Sequence, residues 1–191
     1  MINVDYDRII KFAISITIFV FVLILINDSC YFADLTLDNI CSALGKTITI
    51  CGVLFTLFVK YFWKGKIFRF LVPIPYLGGK WIGILRYCYE GKSYEKQIEA
   101  SIKQDLFHLQ ILIKTNESES KSCCASFNID EFRGERELFY TYMNIPNIKE
   151  RTHSVIHYGS SKLSIIEENT KLRGCYWTDR QSIGEIELNK N

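Results

Sequence analysis

One stretch, Leu-Arg-Gly-Cys-Tyr-Trp-Thr-Asp-Arg at residues 172–180, decides the fold of the C-terminal part of the chain. Its residues alternate between two sets, one beginning with Leu172 and the other with Arg173. Because successive side chains of a β-strand point to opposite faces, this period of two predicts a half-buried strand. The same alternation, broken by short polar turns, continues from Gly78 to Asn191 without a sustained helical period.

The C-terminal part is therefore predicted to be an all-β domain of eight short antiparallel strands. This number of strands favours a small up-and-down barrel, because closure removes the exposed edges that an open sheet would present. A sandwich of two sheets is the alternative. The predicted strands lie at about 79–89, 96–103, 106–115, 119–129, 136–144, 154–167, 170–178 and 183–189.

The N-terminal part is predicted to be a membrane anchor within residues 1–70. From about 9 to 26 the only charged residue is Lys11, and a helix of that length reaches about 27 Å, close to the thickness of a hydrocarbon core. A second apolar stretch runs from about 40 to 63 and ends in an aromatic and basic cluster typical of membrane interfaces. A cleaved signal peptide is the alternative for the first stretch, but no small-residue cleavage site follows it.

The charges around the two apolar stretches predict the orientation of the anchor. The connecting loop at 27–39 contains aspartates and no lysine or arginine, whereas basic residues follow the second stretch. Because basic loops stay on the cytoplasmic side, we expect the loop outside and both termini in the cytoplasm. The barrel at 76–191 is then cytoplasmic as well, where thiols stay reduced.

The second apolar stretch carries small residues at steps of four, three and four positions. This spacing places them on one helix face, and small residues let membrane helices approach each other closely. Two interpretations remain open: the face packs against the first helix of the same chain, or it joins helices of different chains. The residues are Gly45, Thr49, Gly52 and Thr56.

Polar and aromatic side chains from three predicted strands point toward the same interior. In the strands at 136–144, 154–167 and 170–178 these side chains are in phase with leucines or isoleucines of the expected core. They are candidate ligand-binding residues. The set is Tyr140, Tyr142, His157, Tyr176, Thr178 and Arg180.

The chemistry of this set suits a planar, anionic small molecule. Aromatic rings stack on bases, hydroxyls donate hydrogen bonds, and a guanidinium pairs with phosphate. Each side chain also has a structural interpretation. The tyrosines are then core residues with satisfied hydroxyls, His157 is a structural histidine, and Arg180 forms a salt bridge with Asp179 or Glu185.

Composition and motifs argue against several other functions. Residues 76–191 carry equal numbers of acidic and basic side chains, which argues against general binding of DNA or RNA polymers. No metalloprotease, serine-hydrolase, phosphate-loop or dinucleotide motif occurs, so we assign no catalytic residue, metal ligand or cofactor. Seven cysteines without CxxC spacing predict neither a disulfide framework nor a zinc site, and adjacent Cys123 and Cys124 are expected on opposite faces of a strand.

Five segments follow the two apolar stretches in a characteristic order. They are GKWIG at 79–83, LFYTYMNIP at 138–146, IHYGS at 156–160, LRGCYWTDR at 172–180 and GEIEL at 184–188. Together they resemble the two-transmembrane, β-strand-rich effectors of bacterial CBASS anti-phage systems.

The resemblance implies a cytoplasmic barrel that binds a cyclic dinucleotide made by a partner CD-NTase cyclase. It further implies that binding drives homo-oligomerisation in the bacterial inner membrane, which disrupts the lipid bilayer and kills the infected cell. Two other functions remain open. A lipocalin-like carrier would have a uniformly apolar interior, and a phosphodiesterase would need paired metal ligands or an acid and base pair.

Overall fold

The computed structural model describes residues 6–27, 36–65, 68, 71–89, 92–130, 132–152 and 154–191. The chain divides into two compact units, Val4–Pro73 and Ile74–Asn191. The first is helical, and the second is a closed, eight-stranded antiparallel barrel. The predicted fold class is thereby confirmed, and the alternative of a two-sheet sandwich is wrong.

Two long helices form the first unit. Helix α1 spans Tyr6–Asn27, longer at both ends than the predicted stretch of about 9–26, and helix α2 spans Leu37–Lys60. At about 1.5 Å per residue they reach roughly 33 and 36 Å, and both are apolar enough to cross a membrane. Most of the expected external loop, residues 28–35 with Cys30, lies outside the described residues.

Helix α2 begins and ends three residues earlier than the predicted stretch at 40–63. It begins early because the Thr36 side chain caps it, accepting a hydrogen bond from the backbone nitrogen of Asn39. It ends at Lys60, and Phe62–Lys64 form a separate 3-10 turn. The aromatic and basic cluster therefore mostly follows the helix and does not extend it.

Helix α2 packs within the unit through a stripe that sequence analysis did not single out. Ala43 and Thr47 are buried, and the Thr47 hydroxyl donates to the Ala43 carbonyl at 2.8 Å. Cys51, one turn further, is half-buried. All four residues of the predicted small-residue face are exposed: Gly45, Thr49, Gly52 and Thr56. Gly52 also lines a cavity together with Phe12 and Ile16 of α1, so whether this face joins the first helix or another chain stays a prediction.

The second unit is a barrel in which each strand pairs antiparallel with the next and the last strand pairs with the first. All eight predicted strands are present. Their bounds are β1 Gly79–Tyr89, β2 Lys92–Gln104, β3 Leu109–Lys114, β4 Ser118–Asp130, β5 Glu135–Pro146, β6 His157–Ile166, β7 Lys171–Thr178 and β8 Ile183–Lys190.

Two strands begin later than expected. Strand β3 begins at Leu109 because the Asp105 carboxylate accepts hydrogen bonds from the backbone nitrogens of Phe107 and His108 and holds a turn there. Strand β6 begins at His157, three residues after the expected position. Both strands are shorter than predicted, but the same residues still face the core.

A β-bulge interrupts strand β4 at its pair of adjacent cysteines. The register with β5 shifts between Ser122 and Cys124, so Cys123 is the extra residue. As a result Cys123 and Cys124 are both exposed on the outside of the barrel, and the expectation that they point to opposite faces of the strand is wrong. The Cys124 sulfur lies 3.0 Å from the hydroxyl of Thr141.

An apolar plug closes one end of the barrel. The Trp81 indole donates to the Leu77 carbonyl at 2.9 Å, and the Gln104 amide accepts from the Leu77 nitrogen at 2.7 Å and donates to the Pro75 carbonyl at 3.0 Å. Leu77, Trp81 and Leu106 are at most 1% exposed. The plug therefore combines dense packing with paired polar groups.

Candidate functional site

A cavity of about 280 Å³ opens at the end of the barrel opposite the plug. Antiparallel order brings the ends of the odd-numbered strands and the starts of the even-numbered strands together there. All six candidate residues predicted from the sequence line this cavity. They are Tyr140 and Tyr142 on β5, His157 on β6, Tyr176 and Thr178 on β7, and Arg180 in the turn before β8.

Two of the tyrosine rings lie over glycines of neighbouring strands. Tyr142 is paired with Gly159 on β6, where an added Cβ would stand 2.5 Å from the Tyr142 hydroxyl. Tyr176 is paired with Gly184 on β8, where an added Cβ would stand 2.5 Å from the Tyr176 ring. Because the glycines have no side chain, both rings rest against the barrel wall and leave the middle of the cavity open.

The third tyrosine, Tyr140, lies deeper along β5. Its side chain is 3% exposed, and its ring centroid is 5.8 Å from that of Tyr142. The neighbouring Ser161 hydroxyl donates to the carbonyl of Cys175 at 3.0 Å. Among the described residues no group is in hydrogen-bonding geometry with the Tyr140 hydroxyl.

Burial raises the pKa values of the three cavity tyrosines above the ordinary value near 10, so that their hydroxyls stay protonated well beyond neutral pH. It raises the pKa of Tyr140 to about 12, against an opposing effect of Ser161, and it raises the pKa of Tyr176 to about 12. Burial also raises the pKa of Tyr142, with added repulsion from Tyr140, Tyr176 and Asp179 when the phenol ionises. All three hydroxyls are therefore available as hydrogen-bond donors at neutral pH.

Polar groups surround the mouth of the cavity on the side of β6 and β7. The exposed Arg180 guanidinium donates to the Ser154 hydroxyl at 2.9 Å. The alternative that Arg180 pairs with Asp179 or Glu185 is wrong for the described part of the chain, where the Asp179 carboxylate accepts from the backbone nitrogen of Tyr158. The guanidinium is thus left without a neutralising carboxylate among these residues.

The other two predicted mouth residues have local partners. The His157 Nδ1 lies 3.0 Å from the Val155 carbonyl, which can only accept, so this nitrogen carries a hydrogen. The Thr178 hydroxyl lies 2.6 Å from that of Ser182. Both contacts fix the orientation of their side chains at the rim.

A charged pair that the sequence pattern does not indicate lies on the other side of the mouth. Lys96 on β2 forms an ion pair with Glu117, which lies in the turn between β3 and β4, and its ammonium is 5.3 Å from the Tyr87 ring centroid. Burial lowers the pKa of Lys96, but hydrogen bonding with Glu117 and Tyr87 outweighs this and raises it overall. Lys96 is therefore cationic at neutral pH.

The residue Asn144 was also missed, although its position was predictable. It lies two residues after Tyr142 on the same face of β5 and lines the cavity. Its Nδ2 donates to the hydroxyls of Ser118 and Ser120 at 3.1 and 3.0 Å. Its Oδ1 is inaccessible to solvent and has no partner among the described residues.

Comparison with known proteins identifies the family to which this barrel belongs. Residues 72–190 match the family model described as Cap15, cyclic dinucleotide receptor domain. The chain belongs to the Cap15 family. It is also 32% identical over 171 residues to CD-NTase-associated protein 15 of Staphylococcus schleiferi, a match that covers 90% of each chain.

The two matches overlap in the barrel and differ in how far they extend. The Cap15 receptor-domain match includes all eight strands and every residue that lines the cavity. The match to the relative exceeds the length of that domain, so it continues into the helical unit. The resemblance noted in the sequence is confirmed, and the barrel of this chain is a cyclic dinucleotide receptor domain.

Proposed function

We propose that this protein is a membrane-anchored effector of a CBASS antiviral defence system, and that its barrel binds a cyclic dinucleotide from a cognate CD-NTase cyclase in the cavity. The observation that carries the proposal is the lining: tyrosine rings, neutral donors and two cations within a receptor domain of the Cap15 family. An apolar-ligand carrier is disfavoured, because its cavity would lack these polar groups.

The interior and the mouth of the cavity suit the two chemical parts of such a ligand. The rings of Tyr142 and Tyr176 stack on bases, which are planar and aromatic. Arg180 and Lys96 pair with phosphates at the mouth. In the free barrel the Lys96 ammonium is ion-paired with the Glu117 carboxylate, and a ligand phosphate replaces this carboxylate on binding.

The direct test is equilibrium binding to the full-length protein in lipid nanodiscs. The probes are cyclic di-AMP, cyclic di-GMP, cyclic di-UMP and cyclic UMP–AMP. Arg180→Ala is expected to weaken binding at least tenfold, while Arg173→Ala, an exposed arginine on the outer face of β7, keeps wild-type affinity. Equal losses in both variants, or no binding by the wild type, would contradict the proposal.

The assignment of binding without catalysis has its own readout. After long incubation with the full-length protein, the bound cyclic dinucleotide is expected to be recovered unchanged by liquid chromatography. Linearised product would support the phosphodiesterase alternative instead.

We also propose that ligand binding drives homo-oligomerisation through the small-residue face of α2, with disruption of the bilayer as the result. The hydroxyls of Thr49 and Thr56 donate to the carbonyls of Gly45 and Gly52 at 3.0 and 2.8 Å, so the exposed face presents no unpaired donor. Such a face packs closely against another helix in lipid. A ligand with higher affinity for the assembled form shifts the equilibrium toward it.

Leakage from dye-loaded vesicles tests this second step. Gly52→Leu places a large side chain on the small-residue face, whereas Val53→Leu changes an adjacent exposed position that is already large. We expect Gly52→Leu to keep ligand affinity and lose most ligand-induced leakage, and Val53→Leu to leak as the wild type does. Full leakage from Gly52→Leu would rule out this face.

The proposed location is the bacterial inner membrane, crossed by both helices, with both termini and the barrel in the cytoplasm. Asp38 in the first turn of α2 and Lys60 in its last turn support this orientation. A C-terminal tag is expected to resist protease added to intact spheroplasts. Digestion of the tag from outside would reverse the orientation.

A further inference from the structure

The floor of the cavity contains a polar group whose bonding is incomplete. The Tyr140 side chain is 3% exposed, and its hydroxyl has no hydrogen-bond partner among the described residues. A buried hydroxyl that has left water without gaining a partner lowers the stability of a fold. The sequence therefore retains at this position a group that the free barrel does not use.

The surrounding polar groups in the described part of the chain do not supply the missing bond. The nearest candidate, Ser161, lies directly across from Tyr140 on β6 and is close enough to lower its pKa, but the Ser161 hydroxyl donates to the Cys175 carbonyl and is not in hydrogen-bonding geometry with the Tyr140 oxygen. Phenylalanine would fill the same volume without the unpaired oxygen. The position is thus explained by a partner that enters the cavity from outside.

The location of the cations indicates which part of the ligand reaches Tyr140. Arg180 lies in the turn between β7 and β8, and Lys96 contacts Glu117 in the turn between β3 and β4, so both positive charges are at the mouth. A phosphate bound there leaves the nucleobase as the part that extends deepest. The stacking rings of Tyr142 and Tyr176 line the path between mouth and floor.

We propose that the ligand enters base first and that the Tyr140 hydroxyl hydrogen-bonds the polar edge of a nucleobase, with the phosphates held at the mouth. This inference rests on the proposed cyclic dinucleotide ligand and adds its orientation and a base-recognising residue. A phenol both donates and accepts, so it pairs with a ring nitrogen, a carbonyl or an amino group of the base. Recognition at the floor distinguishes ligands by their bases, whereas the mouth binds phosphates that all cyclic dinucleotides share.

The test uses opposite effects of one substitution on stability and on binding. Tyr140→Phe removes only the hydroxyl, so the free full-length protein is expected to melt a few degrees higher because an unpaired buried group is gone. The same variant is expected to bind the best of the four cyclic dinucleotide probes about tenfold more weakly. Tyr158→Phe, the same change on an exposed outward side chain, is expected to alter neither quantity.

The outcomes separate this inference from the proposed function. If Tyr140→Phe binds with wild-type affinity, or if it melts below the wild type, the hydroxyl has no role in base recognition and the inference is overturned. If the wild type binds none of the four probes, the proposed function fails and the orientation fails with it. A rise in melting temperature together with a loss of affinity supports both.

Discussion

The two ends of the barrel share one backbone and have opposite interiors. At the closed end Leu77, Trp81 and Leu106 are at most 1% exposed, and the indole of Trp81 is hydrogen-bonded. At the open end the Tyr140 hydroxyl and the Asn144 Oδ1 are buried and have no partner in the part of the chain that the structure describes. The difference indicates that stability is concentrated at the closed end and that the open end retains costly polar groups for a ligand.

The largest expected effect is a loss of stability at the closed end. Leu172 is 0% exposed on β7, and Leu172→Ala removes buried apolar volume that the packed plug does not refill. We expect the free energy of unfolding to fall by about 3 kcal/mol, measured by urea denaturation of the full-length protein. Arg173→Ala, on the exposed side of the same strand, is the control and should change it by less than about 0.5 kcal/mol.

A second prediction uses the pH dependence of stability to test the burial of Tyr140 at the open end. The pKa of Tyr140 is raised to about 12, above the value near 10 of an unfolded chain, so the folded state holds this proton more tightly. Ionisation of Tyr140 therefore does not change stability below pH 10, and it lowers the free energy of unfolding as the pH rises from 10 through 12, because the unfolded state loses this proton first. Between neutral pH and about 11.5, the wild type should lose about 2 kcal/mol more than Tyr140→Phe. Equal losses in the two proteins would mean that Tyr140 titrates like a solvated tyrosine.

The third prediction concerns the shape of the open end. A Cβ at Gly159 would stand 2.5 Å from the Tyr142 hydroxyl and 2.8 Å from the Trp177 carbonyl. In Gly159→Ala the Tyr142 ring must therefore leave the wall and enter the cavity. We expect isothermal titration calorimetry to give about tenfold weaker binding of the cyclic dinucleotide, equivalent to about 1.4 kcal/mol. Unchanged affinity would mean that the ligand does not occupy the space beside Tyr142.

The smallest expected effect is a gain in affinity for the cyclic dinucleotide. Glu117 holds Lys96 in the free barrel, and exposed ion pairs of this kind contribute about 0 to 1 kcal/mol. Glu117→Gln frees the ammonium for phosphate, so affinity should rise by up to roughly fivefold. The control is Glu119→Gln, whose carboxylate pairs with Lys114 and Lys121 and does not line the cavity. A loss of affinity in Glu117→Gln would show that the ligand binds elsewhere.

Much of the barrel was predictable because its pattern is local. A period of two repeated over eight segments indicated the strands, and the phase of Tyr140, Tyr142 and Tyr176 with core leucines placed them inside. The bulge at Cys123 did not disturb this, because it lies on a different strand from those tyrosines.

The remaining features depend on contacts between distant parts of the chain. The position of Lys96 in the site depends on its ion pair with Glu117, which lies in a turn between two other strands. Whether the Tyr140 hydroxyl is hydrogen-bonded depends on which group the Ser161 hydroxyl contacts. The packing stripe of α2 could not be chosen from spacing alone, because Ala43 and Thr47 repeat as regularly as the small residues on its exposed face.

The separation of stability from recognition is tested most directly by melting the full-length protein with and without a cyclic dinucleotide at about 100 times its dissociation constant. We expect Leu172→Ala to melt lower than the wild type but to keep a ligand-induced stabilisation of about 2.7 kcal/mol, and Tyr142→Leu to lose most of this stabilisation. If Leu172→Ala folds but is no longer stabilised by the ligand, or if Tyr142→Leu is stabilised as the wild type is, then stability and ligand recognition are not separated between the two ends of the barrel.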